Sequence, residues 1–262
     1  MCKTGILLKV VVLLTAANIC FAAETATTED KVVTFGFSTD YFSKYVSRGQ
    51  NIDNSSVLQP TVSANAYGFT GSFWANTDMT NKSKTATDNA WEFSEYDWTL
   101  DYTGTIPDIN WVNLSVGTIY YQFPNTKTNE TTEIYTGLSL TTVPLNPSFK
   151  WYRDVQDIHG SYFQFGIGHT IGKLYVVNEK CCCDLQLGAS YGWGNAAYNN
   201  GYFGVNTAQS NDLTFSASFC IQIDSWMIKP SINYSTMLGK SIREATDKSD
   251  NLWAGVGLSH SF

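Results

Sequence analysis

The chain has 262 residues, of which 43% are hydrophobic and 15% charged, enough apolar content for one domain with a substantial buried surface and too much for a disordered chain. Its 16 Lys and Arg stand against 23 Asp and Glu, a formal net charge of -7. That balance leaves no concentration of positive charge to neutralise phosphates, so a nucleic-acid partner is excluded as an expectation.

The first segment reads as an export signal. Lys3 and Lys9 precede a short apolar run from Val10 to Leu14, and Cys20-Phe21-Ala22-Ala23 supplies small residues suited to cleavage before Glu24. Residues 1–23 are therefore expected to be a signal peptide and 24–262 the exported domain. No stretch approaches the ~20 apolar residues that a helix needs to cross hydrocarbon.

From Lys31 onward apolar residues recur at every second position, which puts them on one face of a strand. Val33, Phe35 and Phe37 alternate with Thr34, Gly36 and Ser38; no segment carries a helical stripe. The pattern predicts about twelve strands, at 32–42, 58–67, 69–77, 92–102, 111–123, 133–141, 148–153, 161–170, 184–193, 213–221, 226–235 and 252–262.

The connections give a separate signal. Those after the first, third, fifth, ninth and eleventh strands are long and polar, whereas those at Gly68, 104–110, 142–147 and 222–225 are tighter, and the joint from Gly172 to Cys183 is longer than the alternation calls for. Alternating long and short connections fit an all-β, antiparallel, up-and-down transmembrane β-barrel with long extracellular loops, short periplasmic turns and both ends of the sheet on the same side. Because an unpaired amide in hydrocarbon costs several kcal/mol, the last strand is expected to pair with the first.

The faces follow from parity. Val112, Leu114, Val116, Thr118 and Tyr120 suit lipid, while Asn113, Ser115 and Gly117 suit a hydrated lumen. Trp91, Trp98, Tyr102, Tyr120, Tyr121, Trp193, Trp226 and Tyr234 lie near strand ends, where amphipathic rings suit the membrane–water boundary. The last strand alternates through Leu252, Ala254, Val256, Leu258, His260 and Phe262. A closing strand that ends in Phe resembles the assembly signal of outer-membrane proteins.

Several residues are candidates for function. Glu95, Asp97 and Asp101 share the polar parity of the fourth strand and Glu133 that of the sixth, so they are expected to line the lumen as an acidic band, with Lys229 as an opposing inward charge. The same residues also suit a salt-bridge network that fills a narrow barrel. Arg48 and the acids Asp53, Asp78, Asp88, Asp247 and Asp250 are assigned to external loops, Arg48 beside lipid phosphates or Asp40. Cys182 and Cys220 share the inner parity near the periplasmic end and are a possible disulfide, which the oxidising periplasm permits. His169 and His260 lack a recognisable nucleophile pattern, and the adjacent cysteines lack metal-ligand spacing, so no catalytic residue, cofactor or metal is assigned.

The run from Val33 to Tyr41 (VTFGFSTDY), followed by Tyr45 to Gln50 (YVSRGQ), resembles the opening strand and Arg-Gly turn of the TorF-type porins, small outer-membrane proteins of Gram-negative bacteria. LQPT at 58–61, GSFWAN at 71–76, EYDW at 95–98, YYQFP at 120–124 and TEIYTG at 132–137 extend the resemblance over nearly all of the exported chain. The Cys181-Cys182-Cys183 run departs from that family's usual pattern. The resemblance implies an outer-membrane barrel, with lipid and lipopolysaccharide around it, the barrel assembly machinery as a partner during insertion, and small solutes or ions as cargo. It carries no substrate-contacting set. Passive, cation-biased passage is the expected function, with a structural or adhesive barrel and, further off, an outer-membrane lipid hydrolase as alternatives.

Overall fold

The computed structural model describes residues 33–81, 89–178 and 180–262. The expected signal peptide lies outside the described residues.

In chain order the elements are β1 (Thr34–Phe42), β2 (Tyr45–Ser47), β3 (Gln50–Asp53), β4 (Val57–Ala66), β5 (Phe69–Asp78), β6 (Phe93–Ile106), β7 (Ile109–Gln122), β8 (Thr131–Leu140), β9 (Ser148–Asp154), β10 (Ser161–Asn178), β11 (Cys181–Gly194), α1 (Ala196–Phe203), β12 (Gln209–Ile223), β13 (Trp226–Met237), α2 (Lys240–Ala245) and β14 (Asp250–Ser261). Strand β1 followed by β4 to β14 closes one antiparallel barrel of twelve staves, and β2 and β3 form a separate two-stranded ribbon inside the first long connection. Closure is made by β14 on β1, where Ser259 faces Ser38 and Val256 faces Tyr41. This is the seam required by the cost of unpaired backbone in lipid.

The alternation of the sequence becomes the two faces of the wall. Leu100, Leu114, Val116, Leu187, Phe215 and Leu252 are exposed on the outside, whereas Ser38, Thr61, Asn113, Ser218 and Asn233 are buried within. Val112, at the short-turn end of the outward parity of β7, is the exception at 9% exposure. Trp91, Trp98, Tyr102, Trp226 and Tyr234 lie exposed. Neither α1 nor α2 is long and apolar enough to cross a membrane; the strands do that.

Turn chemistry separates the two ends. Tyr67 and Gly68 join β4 to β5 with φ of 52° and 85°, the paired positive values of a type I′ hairpin turn. Asp108 and Asp224 likewise take positive φ in the tight turns after β6 and β12. The opposite rim carries the long connections, including the β2–β3 ribbon, α1 and α2.

One stretch differs from its expected form. The segment from Gly172 to Cys183, expected as a long joint, is mostly strand, because β10 runs on to Asn178 and β11 begins at Cys181. The register shifts between Ile171 and Tyr175, where Lys173 has φ of 59° and donates its backbone N–H to the Asp184 carboxylate at 2.6 Å. Gly172-Lys173 therefore makes a bulge, after which Leu174, Tyr175, Val176 and Val177 continue in the extended conformation such residues favour.

The outer face sets a quantitative expectation. Val116 lies in the middle of β7 and is 52% exposed. Val116→Arg is expected to lower the stability of the barrel in phospholipid vesicles by about 2–4 kcal/mol, the cost of a cation at the bilayer midplane. Val116→Ile should leave the urea unfolding midpoint nearly unchanged.

Candidate functional site

The lumen is filled from the long-loop end. The residues YVSRGQNID, 45–53, pair as a ribbon in which Ser47 faces Gln50, and the two residues between them, Arg48 and Gly49, have φ of 45° and 78°. This is again a two-residue I′ turn. A Cβ at Gly49 would overlap the side chains of Asp212 and Met237, so the tip of the ribbon presses against β12 and β13. The base is held where Tyr45 packs with Phe42, Val57 and Trp74, and Ile52 and Trp253 cover that cluster. The Asn51 amide donates to the Asn251 side chain at 2.8 Å.

Arg48 reaches nearly to the far side of the ring. Its guanidinium donates to both oxygens of Glu133 on β8, at 2.8 and 2.6 Å, and the two side chains are only 11% and 2% exposed. The rings of Tyr152, Tyr162 and Tyr198 surround the same guanidinium, with centroids 4.6, 4.7 and 5.8 Å away. Tyr121 adds a hydroxyl donated to Glu133 at 2.9 Å. Burial alone would weaken the charge on Arg48, but Glu133 outweighs it and holds the guanidinium protonated.

Helix α1 closes the cage from above. Asn195 caps it by accepting from the Tyr198 backbone N–H, and the Tyr198 ring packs at a tilt against Tyr162 and Tyr202. Burial pushes the Tyr198 hydroxyl up to about 12, so it stays neutral and leaves the ring to face the cation. Below this level the polar lining residues Ser63, Ser72, Thr99, Gln164, Gln186 and Ser216 are only partly covered. Nearer the short turns Asn113, Ser218, Cys220 and Met227 are again buried.

Of the acids assigned to the lumen by parity, Glu95, Asp97 and Asp101 stand on β6 and Glu133 on β8, with β7 between them. Glu95 accepts from Tyr45 at 2.9 Å and lies within hydrogen-bond reach of Asp97. Asp101 accepts from Tyr135 at 2.6 Å and from Thr103 at 2.7 Å. Glu133 holds Arg48. Lys229, on β13, is buried across the lumen from them and is the charged neighbour of Asp40. The structure therefore groups Glu95 with Asp97, places Asp101 further along the same strand β6 and Glu133 two staves away on β8, and sets Lys229 across the lumen.

Three expectations are corrected. Arg48 is not an external charge beside lipid or Asp40: the I′ turn aims it into the lumen, where a carboxylate and three rings compensate its desolvation. Asp53 and Asp78, assigned to external loops, are buried at 3% and 1% exposure. The ribbon carries the first inward, where it accepts from the backbone and hydroxyl of Ser55, and the inward parity of β5 carries the second to Asn76. The possible Cys182–Cys220 disulfide is not formed. The ladder sets Cys182 opposite Gln222 and Cys220 opposite Asp184, and such diagonal neighbours, about 7–8 Å apart, are out of disulfide reach. Asp88 lies outside the described residues.

Sequence reasoning missed the tyrosines and α1. Tyr121 read as a boundary ring but points inward. Tyr135, Tyr152 and Tyr162 were legible only through parity, since each stands on the polar face of its strand, a position where an aromatic residue has no lipid to meet. Among the described residues no three His, Cys, Asp or Glu side chains are grouped as metal ligands.

No described protein family matches the chain, and no curated protein sequence does. Solved structures do. The KdgM porin superposes with a TM-score of 0.50 at 10% identity, over 87% of this chain and 99% of that one, and the same values hold for the KdgM porin in complex with disordered oligogalacturonate. The NanC porin superposes with a TM-score of 0.51 at 12% identity, over 86% and 98% of the two chains. The chain has the closed twelve-stranded antiparallel barrel fold of these outer-membrane porins.

Proposed function

We propose that the protein is a channel of the outer membrane that passes small cationic or neutral solutes by diffusion through a lumen narrowed by its own first loop. The observation that carries this is the inward charge distribution. Asp40, Glu95, Asp97, Asp101, Glu133, Asp154 and Asp212 line the wall against Arg48, Lys150 and Lys229. Fixed negative charge between low-dielectric walls raises the local concentration of cations and excludes anions. The KdgM porin is known in complex with oligogalacturonate, a polyanion; the wall of this chain suits the opposite charge. The resemblance to TorF-type porins and the fold of the superposed porins support the outer-membrane channel, and the charge preference rests on the wall residues alone.

Hydrolysis finds less support. The Ser225 hydroxyl and His260 Nε2 are 2.9 Å apart, but His260 Nδ1 has no hydrogen-bond partner to orient the ring, as a nucleophile–base–acid relay requires. His169 faces outward on β10. A plugged, purely structural barrel is favoured by the depth of burial around Arg48 and is the reading that the test must separate.

Planar bilayers under a salt gradient provide that test. The native protein is expected to give discrete channels with a cation-selective reversal potential. Replacing Glu95, Asp97 and Asp101 together by Gln, Asn and Asn should move that potential towards zero. Absence of conductance across lipids and voltages would favour the plugged barrel.

A further inference from the structure

We propose that Glu133 with Tyr152, Tyr162 and Tyr198 is a binding site for a guanidinium-bearing cation, which the chain fills with its own Arg48 as a tethered, displaceable ligand. The cage and its occupant belong to different parts of the fold. Glu133, Tyr152 and Tyr162 stand on barrel staves β8, β9 and β10, and Tyr198 on α1. Arg48 arrives on the β2–β3 ribbon, which shares no ladder with the barrel.

The chemistry of the cage selects the class of ligand. A carboxylate offering both oxygens at 2.8 and 2.6 Å matches the parallel N–H groups of a guanidinium and not the point charge of an ammonium. Rings at 4.6 and 4.7 Å take a flat cation by its faces. Glu133, Tyr152, Tyr162 and Tyr198 are at most 3% exposed, so these contacts act in a desolvated setting. The ribbon is anchored at its base by Tyr45 and Ile52, and its tip is held by the arginine together with Gly49, which packs on Asp212 and Met237 and accepts from the Asn251 amide. Arg48 therefore competes for the cage as an intramolecular ligand, and a free solute of the same chemistry has to outcompete it. The site stands whether or not the barrel conducts; that solute binding frees the lumen rests on the channel reading.

The test is ligand-dependent stability of the purified, folded barrel in detergent, followed by thermal unfolding with ethylguanidinium and, as a control, ethylammonium. Arg48→Ala should gain midpoint temperature with millimolar ethylguanidinium and far less with ethylammonium. The native barrel should require at least about tenfold more ligand for the same gain, because its own arginine competes. Glu133→Gln added to Arg48→Ala should abolish the response. Should Arg48→Ala accumulate unfolded, recovery of the folded form on refolding with ethylguanidinium is the equivalent positive result, and Arg48→Lys, titrated in the same way, should respond at lower ligand concentration than the native barrel. Equal stabilisation by the two cations, a response that survives Glu133→Gln, or no response and no recovery would overturn the proposal. Single-channel recording on the same samples keeps the readings apart: binding without conductance removes the channel, and conductance without binding removes the site.

Discussion

Replacing the ribbon from Ser43 to Ser56 by a short flexible turn is expected to raise single-channel conductance several-fold while leaving a folded barrel. The ribbon contributes no strand to the closed ladder, so the frame does not depend on it. Its side chains do fill the long-loop end: Tyr45 against Glu95, Gly49 against Asp212 and Met237, Arg48 against Glu133 and its tyrosines. Once the ribbon is gone water enters, and Glu133 becomes hydrated instead of being left buried and unpaired. Single-channel recording reads the conductance, and heat-modifiable electrophoretic mobility reads the fold. Unchanged conductance would place the constriction in α1, through Tyr198, Tyr202 and Phe203, which pack on the same cluster.

The barrel was legible in the sequence because its physics is local. Period-two alternation fixes the face of each residue, and the requirement that no backbone edge meet lipid fixes closure. Strand β9, with Phe149 and Trp151 facing out and Lys150 and Tyr152 facing in, follows the same rule as the longer strands. The expectation of a long joint at Gly172 to Cys183 fails for a local reason as well: Gly172-Lys173 breaks the period-two alternation, and the pair makes a bulge because a register shift and the Asp184 carboxylate accommodate it.

The site was legible only in part. Parity placed Glu95, Asp97, Asp101, Glu133 and Lys229 on the inner face, but it says nothing of what a loop does once it leaves the wall. Arg48 and Glu133 are 85 residues apart in sequence, and no local pattern joins them. The one available clue was Arg48-Gly49 between the short segments Tyr45-Val46-Ser47 and Gln50-Asn51-Ile52; a two-residue turn there predicts a hairpin, although not its direction. The tyrosine cage depends on the helical turn of α1, which Asn195 and Gly204 delimit as N-cap and left-handed C-cap.

Arg48→Ala is expected to destabilise the barrel by about 3–5 kcal/mol, because it leaves Glu133 buried without its cation. Tyr121 still donates to that carboxylate, yet one hydroxyl does not replace a two-point charged contact. Glu133→Gln in the same background should recover part of the loss, since it removes the charge that had become unpaired, and a double-mutant cycle on urea unfolding midpoints measures the coupling. The exposed pair Lys180–Asp224, with side chains 78% and 68% accessible, is the internal comparison. Breaking it should change stability by roughly 0–1 kcal/mol. A loss at Arg48 no larger than at Lys180 would mean that water reaches Glu133 as readily as the outer rim, and that the guanidinium is held in an open lumen and not in a closed cage.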